Sequence, residues 1–147
     1  MLCCVDDSDH ARAVARYAAE LAGALGHQLV LVHVAVSTHA PGVSAAPAGR
    51  RRLHEAELRD ATELVDRVVA ELELPSDLER RAEIGDPADR ILALCEEADV
   101  ELVVLGSRGR GSVKSALLGS VSTKVAARAP CPCVIVSGHA AERLATT

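Results

Sequence analysis

The sequence predicts an α/β domain in which four helices cover a doubly wound, five-stranded parallel sheet of order 3-2-1-4-5. Short apolar segments alternate along the chain with longer segments in which apolar residues recur at helical spacing. The short segments are almost continuously apolar, which is typical of parallel strands buried on both faces. At 147 residues the chain corresponds most simply to one such domain.

The first third of the chain contains a strand, a helix and a second strand. Residues 2–5 form a short apolar run, and Asp6-Asp7-Ser8-Asp9 after it offers turn and N-cap side chains. The helical spacing that follows ends at Gly26, and residues 29–36 are again apolar. This order indicates a parallel βαβ unit. Residues 37–50 are rich in Pro, Gly, Ser and Ala, which predicts a mobile loop.

The rest of the chain continues the alternation. Residues 51–72 carry a charged amphipathic pattern, and residues 78–84 alternate in polarity as an edge strand does. Asp86-Pro87 begins the third helix, with Asp86 as N-cap and the proline in the first turn. The remaining strand and helix patterns cover residues 101–105, 121–129 and 133–136. We expect residues 1–137 to form the domain and residues 138–147 to be a weakly structured tail.

The composition argues against several classes of function. The chain has no Trp, no Phe and one Tyr, so it lacks the aromatic faces on which single-stranded nucleic acid stacks. Its net charge of −5 does not indicate a basic surface for nucleic acid. No apolar run is long enough to cross a bilayer. An odd number of cysteines, five, and the absence of a visible secretion signal favour a reducing compartment. We therefore expect a cytoplasmic protein that binds neither nucleic acid nor membrane.

A glycine-rich segment between the fourth strand and the fourth helix has the features of a phosphate site. Glycines let backbone N–H groups approach a ligand closely, and a helix start offers unpaired donors and the positive end of its dipole. Residues 106–120 also contain Arg108, Arg110 and Lys114 without an acidic residue between them. In a doubly wound sheet, this segment and the acidic turn after the first strand would face the same crevice. The segment therefore predicts a nucleotide-phosphate site.

The spacing of the glycines distinguishes between known motifs. The P-loop requires lysine where this chain has Ser112, and the dinucleotide fingerprint requires glycine where it has Lys114. Four residues instead match the signature G-x2-G-x9-G-[ST]: Gly106, Gly109, Gly119 and Ser120. By this signature, by its Cys4-Val5-Asp6-Asp7-Ser8 opening and by its last strand, the chain resembles the ATP-binding universal stress proteins.

The resemblance implies a Rossmann-like nucleotide-binding fold that binds ATP with Mg²⁺. It also implies a set of site residues at strand ends and in the glycine signature: Cys4, Val5, Asp6, Val34, Leu105, Gly106, Arg108, Gly109, Gly119, Ser120, Val121 and Ser122. Among these, the backbone of Val34 would meet adenine, and residues 119–122 would bind the distal phosphates. Arg110 and Lys114 are expected to be solvated.

Two adjacent carboxylates are the candidates for a metal bound through the phosphates. Asp6 could accept hydrogen bonds from ribose hydroxyls, help to hold Mg²⁺, or cap the first helix. Asp7 departs from the family pattern, in which glycine is common. Its extra carboxylate could strengthen a metal site or repel phosphate.

The function that follows from the resemblance is a nucleotide-responsive regulatory module in stress response, with at most slow ATP hydrolysis and no assignable catalytic residue. The family pairs through its last strand, so Val134, Ile135 and Val136 are the candidate homodimer edge. One alternative is a phosphate-accepting receiver domain, but such domains need a lysine after the last strand, where this chain has Ser137-Gly138. Another alternative is a structural dimer of the same fold that has lost its ligand.

The cysteines and histidines lack the spacing of a metal site. Cys131-Pro132-Cys133 is C-x-C rather than the C-x-x-C of zinc ribbons. Cys3 and Cys4 point to opposite faces of the first strand, and we expect them to act as small buried hydrophobes. His33 lies inside a strand and is expected to be a hydrogen-bonded core residue.

Overall fold

A computed structural model describes residues 1–37, 46–97, 99–108 and 118–146. Its five strands form one parallel sheet of order β3-β2-β1-β4-β5, which confirms the predicted fold class and strand order. The strands are β1 (Leu2–Cys4), β2 (Val30–Ala35), β3 (Glu79–Ile84), β4 (Val103–Gly106) and β5 (Cys133–Val136). A receiver domain has the order 2-1-3-4-5, so the topology excludes that alternative.

Helices cover both faces of the sheet, as parallel strands require. They are α1 (Asp9–Leu25), α2 (Pro47–Glu71), α3 (Pro87–Glu97), α4 (Ser120–Arg128) and α5 (Gly138–Ala145). One apolar core lies between the sheet and α1, α2 and α5, and a second lies between the sheet and α3 and α4. In the described residues no helix is long and apolar enough to span a membrane.

The two cores are built from aliphatic side chains. Leu31, Val14 and Val104 are fully buried in the first core, and Ile91 and Leu94 are buried in the second. The chain has a single aromatic residue, a tyrosine, which is partly buried and packs against the edge of the first core. Stability therefore depends on many small apolar contacts rather than on stacked rings.

The register of the central strand aligns the ends of three strands. Cys3 in β1 pairs with Leu31 in β2 on one side and with Val104 in β4 on the other. The β2–β1 pairing continues past the end of β1, because the N–H of Val5 donates to the carbonyl of Val32 at 2.9 Å. The carboxyl ends of β1, β2 and β4 consequently open at one edge of the sheet.

Helix ends follow the capping rules that the sequence indicated. The Ser8 hydroxyl accepts a hydrogen bond from the N–H of Ala11 at 3.1 Å and caps α1. Gly26 closes the same helix in the left-handed conformation, with φ of 69°. Asp86 accepts from the N–H of Asp89 at 3.0 Å, which lowers the pKa of the Asp86 carboxyl, and Pro87 occupies the first position of α3.

The prediction of four helices was wrong, because the structure contains a fifth in the segment that we expected to be weakly structured. The Ser137 hydroxyl caps α5 by accepting from the N–H of Ala140 at 3.2 Å. Ala141 is 2 % exposed and belongs to the core beside α1. The cap and this packing together stabilise a helix too short to be stable alone.

The second helix also begins earlier than its apolar pattern indicated. It starts at Pro47 rather than Arg51, because proline is well suited to the first turn of a helix. Residues 47–50 of the expected mobile loop are therefore helical. Residues 38–45 of that loop lie outside the described residues.

Candidate functional site

A cleft of about 660 Å³ opens at the carboxyl ends of β1, β2 and β4. Ligands of doubly wound folds bind at this position, where the strand order reverses. All the predicted binding residues in the described part of the chain line the cleft: Cys4, Val5, Asp6, Val34, Leu105, Gly106, Arg108, Gly119, Ser120, Val121 and Ser122. The twelfth, Gly109, lies outside the described residues, as do Arg110 and Lys114.

The two ends of the glycine segment are held together by hydrogen bonds. The N–H of Gly119 donates to the carbonyl of Ser107 at 2.7 Å, and the N–H of Ser107 donates to the carbonyl of Val136 at 2.8 Å. The buried Ser122 hydroxyl lies 3.0 Å from the carbonyl oxygen of Gly119 and 3.3 Å from that of Ser107. The entry to the segment and its exit are thereby fixed beside each other. Ser107 contributes to these contacts through its backbone N–H and carbonyl groups.

The first turn of α4 lines the cleft, and its first backbone N–H groups have no partner among the described residues. Gly119 is the N-cap and has no side chain to accept from this turn, and Ser120, Val121 and Ser122 line the cleft. The N–H of Thr123 donates to the carbonyl of Gly119 at 3.0 Å, so intrahelical bonding begins after these residues. The N–H groups before Thr123 and the positive end of the helix dipole favour an anionic ligand.

The other wall of the cleft is apolar. Val34 is 9 % exposed at the end of β2, Leu105 is 3 % exposed in β4, and Ile91 is 2 % exposed in α3. Ala35, the last residue of β2, and Val36 after it extend this wall. A flat apolar group such as a nucleobase fits such a surface, whereas the opposite wall suits phosphate.

The two candidate metal carboxylates have different environments. Asp6 lines the cleft and accepts a hydrogen bond of 2.5 Å from the Ser8 hydroxyl. Asp7 is exposed and faces the guanidinium groups of Arg12 at 3.5 Å and Arg67 at 4.0 Å, outside the cleft lining. Within the described residues, no cluster of three or more His, Cys, Asp or Glu side chains could hold a metal ion. Asp6 is therefore the carboxylate of the pair that lines the cleft.

Two histidines line the cleft. His33 in β2 donates from Nδ1 to the carbonyl of Val5 at 2.7 Å, which confirms the expected hydrogen bond. The expectation of a core position was wrong, because His33 is half-buried and lines the cleft. His10 in the first turn of α1 was missed, although a β-carbon on Gly106 would lie 2.7 Å from its Cδ2 and Nε2 atoms. Its Nε2 is buried and has no hydrogen-bond partner among the described residues. No sequence pattern signals this contact, because it joins segments almost a hundred residues apart.

Cys4, which lines the cleft, has a pKa that disfavours its thiolate form. Burial, followed by the charges of Cys3, Cys95 and Cys133, raises the pKa of Cys4 well above its usual range. Burial also raises the pKa of Cys3 to about 12. Both groups are thiols at neutral pH, and a thiol is a poor nucleophile and metal ligand. Cys3 is fully buried, as predicted, whereas Cys4 is half-buried and lines the cleft.

Comparison with known proteins gives concordant results. The sequence model described as the universal stress protein family matches residues 1–137. A Thermus aquaticus protein, "Universal stress protein in QAH/OAS sulfhydrylase 3'region", is 37% identical over 141 residues, which cover 92% of this chain and 96% of that protein.

Solved structures also resemble the fold. Universal stress protein UspA from Lactobacillus plantarum superposes with a TM-score of 0.70 at 25% identity, over 91% of this chain and 94% of that one. The universal stress protein from Archaeoglobus fulgidus in complex with dAMP superposes with a TM-score of 0.53 at 24% identity, over 91% and 94% of the two chains. With the family match over nearly the whole sequence, these results show that the chain belongs to the universal stress protein family.

Proposed function

We propose that this protein is a nucleotide-responsive regulatory module that binds ATP with Mg²⁺ in its cleft. The observation that carries the proposal is the composition of the cleft walls, because one wall is apolar and the other offers backbone donors and a helix N-terminus. The dAMP complex of the Archaeoglobus fulgidus protein supports an adenine nucleotide as the ligand class. The cytoplasmic location expected from the sequence belongs to the same proposal.

The binding mode follows from the two walls. Adenine would lie against Val34 and Leu105, and Asp6 would accept from the ribose or help to hold Mg²⁺. The phosphates would lie between Gly106 and the first turn of α4. Magnesium usually binds one or two carboxylates together with phosphate oxygens, so one aspartate is a sufficient protein contribution. There the ion would neutralise phosphate charge.

A binding module is a better proposal than a dedicated ATPase. Activating water requires a base near the distal phosphates. The residues proposed to hold the distal phosphates, 119–122, include no base at neutral pH. The titratable side chains that line the cleft, Asp6, His10 and His33, come from other elements. Steady-state turnover with Mg-ATP is therefore expected well below about 1 s⁻¹, a common enzyme rate. Faster turnover, measured as phosphate release, would favour the enzyme alternative.

The proposal is tested most directly by thermal unfolding with and without Mg-ATP. A ligand present at about a hundred times its dissociation constant stabilises a fold by about 2.7 kcal/mol. For a domain of this size we expect the melting temperature to rise by roughly 5–10 °C. No shift at millimolar Mg-ATP would favour the alternative of a structural dimer without a ligand.

Ser120→Asp separates binding from stability. Ser120 is exposed at the first position of α4 and lines the cleft, so a carboxylate there would repel phosphate. The same carboxylate interacts favourably with the helix dipole and should stabilise the unliganded fold by about 0.3–1 kcal/mol. The melting temperature without ligand should therefore be unchanged or slightly higher. We expect the variant to lose the Mg-ATP shift, while the uncharged control Ser120→Asn retains most of it. Equal melting-temperature shifts with Mg-ATP in both variants would show that the phosphates do not bind beside Ser120.

We further propose that the protein forms a homodimer through β5. This strand is at the edge of the sheet, Val134 and Ile135 are half-buried in the single chain, and Val136 is buried. An edge strand with apolar side chains is usually covered by a partner, since it otherwise promotes aggregation.

Ile135→Lys tests the dimer interface. A lysine at this edge should raise the dimer dissociation constant by about ten-fold or more, because the charge would have to be desolvated. Leu53→Lys on α2 is the matched control, since Leu53 is an exposed leucine away from β5, and it should leave the dimer intact. Sedimentation equilibrium measures both constants. Equal constants for the wild type and Ile135→Lys would exclude β5 as the interface.

A further inference from the structure

We propose that His10 is a further ligand-binding residue whose Nε2 donates a hydrogen bond to a phosphoryl oxygen of the bound nucleotide. The inference rests on the proposed function, because it assigns a new contact within the same cleft. It concerns a side chain of α1, whereas the other phosphate contacts proposed above come from the segment between β4 and α4.

The position of His10 points to the phosphate wall of the cleft. Its ring lies against the backbone of Gly106, where a β-carbon would come within 2.7 Å of Cδ2 and Nε2. The same β-carbon position is 3.1 Å from the carbonyl oxygen of Arg108. Gly106 and Arg108 flank Ser107, which is hydrogen-bonded to Gly119 at the start of α4. The imidazole therefore stands at the entry of the phosphate-binding segment.

The state of the ring nitrogen indicates a missing partner. Nε2 is buried, and among the described residues nothing accepts from it or donates to it. Buried polar atoms in folded proteins are nearly always hydrogen-bonded, and one without a partner costs free energy. Because His10 lines the cleft while Nε2 is buried against Gly106, the ring must turn to present this nitrogen to a ligand in the cleft.

The charged and titratable groups around the cleft leave this role to His10. Asp6, from the loop after β1, would repel phosphate unless Mg²⁺ intervenes, and it already accepts from Ser8. His33 uses Nδ1 to bind the carbonyl of Val5 beside the apolar wall. Arg108 lines the phosphate wall and supplies positive charge there. An imidazole N–H beside Arg108 adds a directional donor to that charge.

The test compares the binding of AMP and adenosine by titration calorimetry. These ligands share the base and the ribose and differ by the phosphoryl group. We expect His10→Ala to weaken AMP binding by about ten-fold or more, as for a lost hydrogen bond to a charged group, and to change adenosine binding by less than about two-fold. His10→Phe keeps a flat ring against Gly106 without a nitrogen, and should show the same selective loss. His54→Ala, at an exposed position on α2, should change neither affinity.

Other outcomes would overturn the inference in distinguishable ways. An equal loss for AMP and adenosine would show that His10 acts through packing, and no loss for either would exclude a contact. Should His10→Ala unfold, His10→Phe gives the decisive comparison. If the wild-type protein binds neither AMP nor ATP, the proposed function fails together with the inference. If the wild type binds ATP and His10→Phe binds AMP normally, the inference fails alone.

Discussion

Replacing Gly106 with alanine is expected to lower the free energy of unfolding by about 1–3 kcal/mol, a usual cost of overpacking, and to weaken nucleotide binding as well. The new methyl group would lie 2.7 Å from two atoms of the His10 ring and 3.1 Å from the carbonyl oxygen of Arg108. The ring can yield only by turning into the cleft, and the carbonyl belongs to the backbone, so both adjustments disturb the site. Urea denaturation and Mg-ATP titration measure the two effects.

A double variant and a control identify the cause. In Gly106→Ala with His10→Ala, the ring that collides with the methyl group is removed, so the losses should be smaller than the sum of the single losses. Gly23→Ala is the matched control, because Gly23 lies inside α1 with no atom within 4 Å of its added β-carbon. It should stabilise the helix by about 0.5–1 kcal/mol. Additive losses in the double variant would contradict the proposed collision.

Leu31→Ala is expected to reduce the free energy of unfolding by about 2–5 kcal/mol. Leu31 lies in β2, pairs with Cys3 of the central strand and is 0 % exposed in the core beside α1 and α2. The loss combines the transfer free energy of the removed atoms with the cost of the cavity that remains. The measurement is equilibrium denaturation at a fixed protein concentration, since a dimer makes stability depend on concentration.

The control for this prediction is Leu25→Ala, which makes the same change where the side chain is 53% exposed. We expect that variant to differ from the wild type by less than about 0.5 kcal/mol. The slope of the denaturation curve should be similar in all three proteins, because the surface exposed on unfolding changes little. A loss below about 1 kcal/mol for Leu31→Ala would show that the core around β2 relaxes to fill the space.

The positions of the five strands and the first four helices along the chain could be predicted because their sequence signals are local. Strands buried on both faces need continuous apolar runs, and α1 and α3 carry a cap or a proline where they begin. The helix α5 was missed although its eight residues are amphipathic, because so short a segment is not stable as a helix on its own. Its stability comes from Ser137 and from contact with α1, and the second of these requires the folded sheet.

In the candidate site, too, the residues marked by local sequence signals could be predicted, and the contacts between distant segments could not. The glycine signature and the strand ends indicated the cleft residues, because backbone approach and helix polarity are encoded in short segments. The contact between His10 and Gly106 was not predictable, since it depends on how α1 packs beside β4. The sequence also left open which of two adjacent aspartates could help to hold a metal. In the fold, Asp7 forms ion pairs with Arg12 and Arg67, whereas Asp6 lines the cleft.

The aliphatic cores make the protein nearly transparent in the near ultraviolet. Tyr17 is its single aromatic side chain, and it packs beside the core of α1 rather than in the cleft lining. An adenine ring absorbs far more strongly than one phenol, so a nucleotide retained through purification would dominate the absorption spectrum. A tryptophan introduced at Val36, on the apolar wall, would report occupancy of the cleft by fluorescence without any competing tryptophan signal.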